Sequence, residues 1–255
     1  MKLKNIILLI TLCLFFSNCS IAQNKSSQNP EPKINNPNSS PFNVETLLKK
    51  QILLTNNVEF TNNRAMNGAS GFLIKHSSST FAVTARHLLG EAGGVEPEVK
   101  INDLSSSLKK WEMMPRVVTN AAKETVKLDA KGLDFSNSLN DIVLLKVIST
   151  NFEIEVLTPN FNLPTVGEKL FLIGCPYSET KCKQNPYPLE FVESDESENL
   201  LIFEIKSTVD LRGFSGAPVV NAKGEVYGVL VSGGAAEGKN YAVATNINEI
   251  KKIKF

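Results

Sequence analysis

The sequence contains few of the side chains from which metal and redox centres are usually built. Its 255 residues include two histidines, four cysteines and one tryptophan. Two histidines nearly exclude a site that binds a metal through several imidazole rings. We therefore expect neither a metal centre nor a cofactor.

An excess of one charge sign is also missing, because 27 lysines and arginines stand against 26 aspartates and glutamates. Proteins that bind nucleic acids normally carry a strong basic excess, so we expect no nucleic-acid partner. With 15 glycines, 12 prolines and 21% charged residues, the chain fits no collagen-like, coiled-coil or disordered class. What remains is a globular protein that is long enough to bury a large core.

The longest largely apolar run extends from Ile6 to Phe16, which is shorter than the roughly 20 residues that a transmembrane helix needs. Two lysines precede it, and Ser20 and Ala22 follow it at the two positions of a small-x-small cleavage site. This order is typical of a secretory signal peptide, so we predict one over residues 1–22, cleaved after Ala22. We therefore expect the protein to be exported from a bacterial cytoplasm to the periplasm, the cell surface or the medium.

Cys19 gives a second interpretation of the same segment. Residues 16–19 resemble a loose bacterial lipoprotein box, in which a lipid is attached to Cys19, although Asn18 is unusual at its position. Both interpretations, cleavage after Ala22 and lipidation of Cys19, stay open. The only membrane contact we expect is through such a lipid anchor.

Residues 23–41 contain one large apolar residue, Ile34, and are otherwise polar or proline-rich. Such a segment cannot bury enough apolar surface to offset the entropy of ordering it. We therefore predict a disordered linker over residues 23–41 and a folded domain over residues 42–255. Removal of Lys2 and Lys4 with the signal changes the formal charge from +1 to −1, so the mature protein has no basic surplus.

Most of the folded domain consists of short runs rich in valine, isoleucine, phenylalanine and leucine. Clusters of glycine, asparagine, proline and serine separate these runs. Strands about 8–15 residues apart predict an all-β antiparallel sandwich or barrel. The runs include Gly71–Ile74, Phe81–Thr84, Ile142–Leu145, Lys169–Ile173, Leu200–Phe203 and Val226–Val231.

Helical spacing occurs at the two ends of this β body. The apolar residues of Val44–Ile52 follow the spacing of an amphipathic helix, with Asn43 as a candidate cap. In Asn246–Ile253 three isoleucines share one face, and Asn246 and Glu249 have the spacing of a capping box. We therefore predict a short N-terminal helix and a C-terminal helix.

The strongest chemical signal is Ser215, which lies in Gly213-Phe214-Ser215-Gly216. The flanking glycines permit a tight turn in which backbone N–H groups crowd together and a substrate carbonyl can approach. A serine hydroxyl becomes an effective nucleophile only with a general base in hydrogen-bond reach, and that base needs a third group to orient it.

Two histidines could supply the base. His76 lies in a polar break between apolar runs, which predicts an exposed hairpin loop, whereas His87 follows the strand Phe81–Thr84 on a rigid scaffold. Asp141 directly precedes an apolar strand and is the candidate orienting acid, although a carboxylate there is often only a turn residue. We therefore select His87, Asp141 and Ser215 as the catalytic candidates.

These candidates lie in three motifs that resemble those of one family, the trypsin-like (chymotrypsin-fold) serine proteases. Thr84–His87 resembles the family's T-A-x-H motif, Asn140–Leu145 resembles D-I-A-L-L, and Gly213–Val219 resembles G-x-S-G-x-P-V. Within this family, the sequence most resembles the bacterial trypsin-like peptidases that have few disulfides. An α/β-hydrolase is excluded, because that class places its histidine after the serine and no histidine follows Ser215 here.

The resemblance covers roughly residues 60–245 and implies a fold. We expect two antiparallel six-stranded β-barrels, at about residues 58–155 and 160–245. The histidine and the aspartate would come from the first barrel and the serine from the second, with the active site in the cleft between them.

The resemblance also implies roles for the candidates. Ser215 would attack the scissile carbonyl, His87 would accept the serine proton and return it to the leaving amine, and Asp141 would orient His87. The backbone N–H groups of Gly213 and Ser215 would form the oxyanion hole.

The residues that would bind substrate follow from the same resemblance. Leu230, Val231 and Ser232 occupy the place of the strand that pairs with the substrate backbone. Val209 lies where the family has the floor of its specificity pocket, which favours an apolar or small P1 residue. Asp210, next to it, leaves a basic P1 residue as the alternative.

Two further features distinguish the domain. Phe214 stands where digestive members of the family carry an aspartate that pairs with a new N-terminus, so we expect no activation through that ion pair. Of the four cysteines, Cys175 and Cys182 remain in the folded domain outside the signal region. In an oxidising compartment we expect them to form a disulfide in the second barrel.

The sequence thus predicts an exported serine endopeptidase that acts on peptide or protein substrates. The alternative is a catalytically inactive pseudoprotease with the same fold and cleft, which would bind peptides or act as an adaptor. The sequence leaves open the oligomeric state and the physiological substrate.

Overall fold

A computed structural model describes residues 44–116, 124–137 and 140–254. The predicted signal peptide, the predicted linker and the candidate cap Asn43 lie outside the described residues. The strands are β1 (Leu54–Phe60), β2 (Ala65–His76), β3 (Ser79–Thr84), β4 (Leu108–Pro115), β5 (Val126–Asp129), β6 (Val143–Thr150), β7 (Val156–Pro159), β8 (Lys169–Gly174), β9 (Asn185–Asp195), β10 (Leu200–Ile205), β11 (Pro218–Val220), β12 (Glu225–Ala236) and β13 (Lys239–Asn246). The helical elements are α1 (Val44–Leu47), α2 (Leu104–Ser107) and 3₁₀ helices over Arg86–Leu89, Glu91–Gly93, Ile101–Asp103 and Ile247–Lys252.

Strands β1 to β6 form a closed antiparallel barrel in the order β1-β2-β3-β6-β5-β4, with β4 returning to β1. Alternation of side chains along each strand explains how the interior fills. In β1, for example, every second residue from Leu54 to Phe60 is buried. This is the first barrel.

Strands β8 to β13 form the second barrel in the order β8-β9-β10-β13-β12-β11, with β11 returning to β8. This order repeats that of the first barrel. Strand β7 lies between the barrels and pairs in parallel with β2 and β12. The predicted all-β fold with two six-stranded antiparallel barrels is confirmed.

The two barrels have different interiors. The first contains the large side chains of Trp111, Phe60 and Phe72, whereas Phe203 and Phe214 are fully buried in the second. The predicted disulfide between Cys175 and Cys182 is present beside the second core. Within the described ranges, no helix combines the length and apolar character needed to cross a membrane.

The helices at both ends are shorter than the spacing predicted. Helix α1 is a single turn that buries Val44 and Leu47, and the chain then extends toward β1. The C-terminal helix is a 3₁₀ helix, Ile247–Lys252, rather than an α-helix. Its buried isoleucines recur every three residues, which is the period of a 3₁₀ helix.

Of the two hydrogen bonds in the predicted capping box, the one from the Asn246 side chain is present and the one to the Glu249 side chain is not. The Asn246 side chain does cap the helix, because it accepts a hydrogen bond from Asn248 N at 3.0 Å. The Asn246 N–H, however, donates to Asn199 O. The Glu249 carboxylate is fully buried and accepts hydrogen bonds from the side-chain amides of Asn140 and Asn199.

Candidate active site

His87 lies at the end of the first barrel that faces the second. Strand β3 ends at Thr84, and the chain turns into the 3₁₀ helix Arg86–Leu89. Leu88 and Leu89 are buried and hold this turn against the core, while about a quarter of the His87 side chain is exposed. A rigid strand and a buried turn therefore present a partly exposed imidazole ring.

Asp141 reaches His87 because β3 and β6 pair directly, with Thr84 opposite Val143. Asp141 Oδ2 lies 2.5 Å from His87 Nδ1, and Oδ1 accepts a hydrogen bond from the His87 backbone N–H at 2.7 Å. The carboxylate thus holds both the ring and the main chain of the histidine. With Nδ1–H donating to Asp141, the Nε2 atom of a neutral ring is left as a proton acceptor.

Ser215 comes from the second barrel, in a turn directly before β11. Gly213 and Gly216 flank it with φ of +98° and +87°, in the region that glycine adopts without strain. A Cβ at Gly216 would overlap Ser70 O and would lie 3.1 Å from Ala85 N, so the Gly216 backbone packs directly on the chain just before His87. Ser215 therefore directly precedes a glycine that contacts the chain two residues before His87.

Ser70 of the first barrel fixes this serine turn from the other side of the cleft. Its backbone N–H donates to Ser215 O at 2.8 Å, and its hydroxyl donates to Gly213 O at 2.7 Å. These bonds are available because β2 bulges opposite β1 near Ser70, which turns its polar groups toward the second barrel.

A buried polar network supports Ser70 from inside the first barrel. Thr84 Oγ1 donates to Ser70 O at 2.7 Å, and Asn56 Nδ2 lies 3.3 Å from the same oxygen. Trp111 Nε1 in turn donates to Asn56 Oδ1 at 3.1 Å. Sequence reasoning missed Ser70 and Asn56. Their signals were a polar residue at a buried position of β1 and a serine in the glycine-flanked segment Gly68–Gly71.

Two peptide groups beside Ser215 have their carbonyls engaged and their N–H groups available. Phe214 O accepts from Ala217 N at 2.7 Å, and Arg212 O accepts from Tyr177 N at 3.0 Å. Because C=O and N–H point in opposite directions across a trans peptide, the N–H groups of Ser215 and Gly213 point away from these partners. Within the described part of the chain, neither N–H donates a hydrogen bond. Both could therefore bind an anionic oxygen.

Strand β12 offers an open edge next to this turn. Leu230 has both backbone groups engaged inside the barrel, because its N–H donates to Ala217 O and its O accepts from Gly216 N, each at 2.8 Å. Beyond it, Val231 lies at a bulge and residues 232–236 pair with β13 on one side, and no described strand pairs with the other side of residues 231–236. Of the three predicted positions, Val231 and Ser232 lie on this open edge.

The predicted pocket residues precede the serine turn. Val209 and Leu211 are partly buried against the second core, and a side chain at Gly233 would collide with Leu211 Cδ1. The Arg212 guanidinium donates to both Asp210 carboxylate oxygens at 2.6–3.0 Å, which lowers the pKa of Asp210 below its ordinary value. The side chains beside the open edge are thus apolar, and the nearby acid is already paired.

Phe214, next to the nucleophile candidate, belongs to the core. Its ring is fully buried, contacts the Tyr187 ring edge-on at a centroid distance of 5.2 Å, and covers Gly174, where a Cβ would collide with it. Apolar packing, rather than an ion pair, therefore anchors the serine turn at this position. Among residues 44–116, 124–137 and 140–254, no group of three or more metal-binding side chains is found.

Two closed barrels with a histidine, an aspartate and a serine at their interface define the class of serine-type peptidases. The sequence matches the model of the trypsin-like peptidase domain over residues 69–229, and the chain belongs to that family. The resemblance noted from the three motifs is thereby confirmed. No curated protein matches the sequence significantly.

Solved structures of serine proteases share this fold. The serine endoprotease from Yersinia pestis aligns with a TM-score of 0.52 and 18% identity, covering 82% of this chain and 64% of that chain. The active form of the Rv3671c protease from M. tuberculosis aligns with a TM-score of 0.52 and 14% identity, covering 91% and 92%. Its inactive form aligns with a TM-score of 0.51 and 15% identity, covering 82% and 90%. The chain thus spans about two thirds of the Yersinia protein and most of the mycobacterial one.

Proposed function

We propose that this protein is an exported serine endopeptidase that cleaves peptide bonds through a His87–Asp141–Ser215 triad and an acyl-enzyme intermediate. One observation carries the proposal: the Asp141–His87 pair of the first barrel meets a serine turn of the second barrel that has two unengaged N–H groups. An oriented imidazole, a serine and two N–H groups without an acceptor among the described residues are the groups that acyl transfer requires.

In the proposed reaction, Ser215 Oγ attacks the scissile carbonyl carbon while His87 Nε2 takes the hydroxyl proton. The tetrahedral intermediate collapses as the imidazolium gives that proton to the leaving amine. Water then attacks the acyl-enzyme with His87 again acting as the base, and Ser215 is released. Asp141 holds the ring in the required tautomer and stabilises the imidazolium.

The N–H groups of Gly213 and Ser215 supply the second component of catalysis. The carbonyl oxygen becomes negatively charged in the tetrahedral intermediate, and donors that are already oriented stabilise this charge without reorganisation. Each such donor lowers the barrier by about 3–4 kcal/mol in related enzymes.

The open edge of β12 from Val231 onward suits an extended peptide that adds as a strand. Val209 and Leu211 line its surroundings, and the charge of Asp210 is already paired with Arg212. We therefore propose an apolar or small residue at P1. A set of peptides that vary only at P1 tests this, and a strict preference for arginine or lysine would contradict it.

Export rests on the N-terminal sequence pattern and is consistent with the disulfide, since disulfides persist mainly in oxidising compartments. Mass spectrometry of the protein recovered from its native host distinguishes the two proposed forms. A mature chain that begins at Gln23 supports cleavage after Ala22, whereas an acyl group on Cys19 supports the lipid anchor.

A fluorophosphonate probe tests the catalytic proposal directly, because it phosphonylates only an activated serine. We expect the wild-type protein to be labelled, Ser215→Ala to remain unlabelled, and Ser78→Ala, which changes an exposed serine, to label normally. A folded wild type that binds peptides but is not labelled would contradict the proposal and favour the pseudoprotease.

A further inference from the structure

We propose that Tyr177 and Arg116 form a clamp across the cleft that fixes the direction of the Gly213 N–H. They would act as positioning residues for the oxyanion hole, and the inference rests on the proposed function of that N–H. Neither residue lies in the three family motifs, and each contacts the opposite barrel.

The main chain of Tyr177 holds the critical peptide group. Its N–H donates to Arg212 O at 3.0 Å, and Arg212 O and Gly213 N–H belong to the same planar peptide. Fixing the carbonyl therefore fixes the N–H in the opposite direction. The second donor, Ser215 N–H, is fixed differently, because its carbonyl partner Ala217 lies in the same turn.

The side chain of Tyr177 reaches from this peptide to the first barrel. A Cβ at Gly213 would lie 2.8 Å from Tyr177 Cδ1, so the ring covers the glycine directly. The phenol oxygen accepts a hydrogen bond from Ala69 N at 2.5 Å, at the bulge of β2. About half of Tyr177 is exposed, so burial in a core does not explain its position.

Arg116 holds the Tyr177 loop from the end of β4. Its Nη1 and Nη2 donate to Cys175 O at 2.6 Å and to Pro176 O at 2.7 Å, and its Cζ lies 5.3 Å from the centroid of the Tyr177 ring. A guanidinium with two carbonyl partners and an aromatic face has little freedom to move. The disulfide to Cys182 closes the same loop.

Loss of the clamp would affect one peptide in particular. Without Tyr177 N–H on its carbonyl, the Arg212–Gly213 peptide can rotate, and glycine permits the new dihedral angles. Rotation removes an N–H from the oxyanion hole and turns a carbonyl oxygen toward it. Binding of the substrate backbone on β12 would be unaffected, since residues 231–236 do not take part in the clamp.

Four variants test this: Tyr177→Ala, Tyr177→Phe, Arg116→Ala and Arg116→Lys. For Tyr177→Ala we expect kcat to fall about 10- to 100-fold with KM nearly unchanged, below the 10²–10³-fold loss for complete removal of one donor. Arg116→Ala should lower kcat about 3- to 10-fold, and the two conservative variants should lose less. Leu163→Ala is the matched control, because Leu163 is exposed to the same 49%.

Two further readouts separate positioning from general loosening. The adduct of a peptide aldehyde with Ser215 mimics the tetrahedral intermediate, so the affinity for the aldehyde should fall by the same factor as kcat. The affinity for a cleaved product peptide should remain that of the wild type. Hydrogen exchange of the backbone over residues 211–217 should accelerate in Tyr177→Ala and Arg116→Ala, at unchanged melting temperature. This last readout does not require an active enzyme.

The outcomes are distinct. Unchanged kcat, aldehyde affinity and exchange in the variants overturn the clamp, and so does a rise in KM alone, which would make Tyr177 a substrate contact. A wild type that the fluorophosphonate does not label contradicts the proposed function instead. In that case the exchange of residues 211–217 still decides whether the clamp holds the turn.

Discussion

The two barrels share one strand order but contribute differently to the site. In the first barrel, His87 and Asp141 lie within three residues of the paired strands β3 and β6, so the sheet itself fixes their geometry. In the second barrel, Ser215 lies on a connection of twelve residues between β10 and β11. Ser70 of the first barrel bonds this connection directly. Ala69 and Arg116 instead bond the loop that contains Tyr177, and Tyr177 N–H donates to Arg212 O in the connection. The comparison indicates that direct strand pairing positions the site residues of the first barrel, whereas contacts with the first barrel help to position the serine turn of the second.

The largest effect is expected from breaking the Asp141–His87 pair, which the strand pairing of the first barrel positions. Asp141→Asn keeps the shape but favours the wrong tautomer of His87, so kcat should fall about 10⁴-fold. Steady-state kinetics on a peptide substrate measure this, and Asp129→Asn, at the end of β5 in the same barrel, should keep full activity. A fall of tenfold or less would mean that Asp141 does not orient the histidine.

A second experiment breaks the contact between the barrels. Gly216→Ala adds a Cβ that collides with Ser70 O in a backbone conformation already unfavourable for alanine, so unfolding free energy should fall by about 3 kcal/mol or more. Gly167→Ala is the control, since φ is +83° and nothing lies within 4 Å of the added Cβ. It should cost about 1 kcal/mol. Equal losses in urea unfolding would show that the contact with Ser70 contributes nothing.

The smallest effect is expected from removing the disulfide, which tests whether the two barrels respond differently. The disulfide closes a short loop in the second barrel only, so Cys175→Ser/Cys182→Ser should lower the unfolding free energy by about 2–3 kcal/mol. Hydrogen exchange should increase mainly in the Tyr177 loop and in β8 and β9, and much less in the first barrel. An equal increase in both barrels would contradict a local role.

The parts of the site that could be predicted depend on local sequence. The motifs around His87, Asp141 and Ser215 combine residue type, spacing and chain order, and these suffice to identify the candidates. Short runs rich in valine, isoleucine, phenylalanine and leucine likewise predicted the β class. A strict spacing of three in the final isoleucines could have indicated a 3₁₀ helix, but capping residues pointed to an α-helix.

The parts that could not be predicted depend on distant pairings. Ser70 bonds to Gly213 across 143 residues, and Arg116 bonds to Cys175 across 59, so no local pattern marks either contact. The repeat of strand order was equally hidden. A barrel requires only that apolar residues alternate, so two barrels of one topology need share no sequence.

The final described residues have a consequence for how the chain folds. Ile247, Ile250 and Ile253 follow the second barrel in the chain, yet they pack in the same core cluster as the first barrel, and Lys254 pairs with Asp134. Glu249 also binds Asn140, next to Asp141. The part of the first barrel's packing that residues 247–254 supply can therefore form only after both barrels have been synthesised.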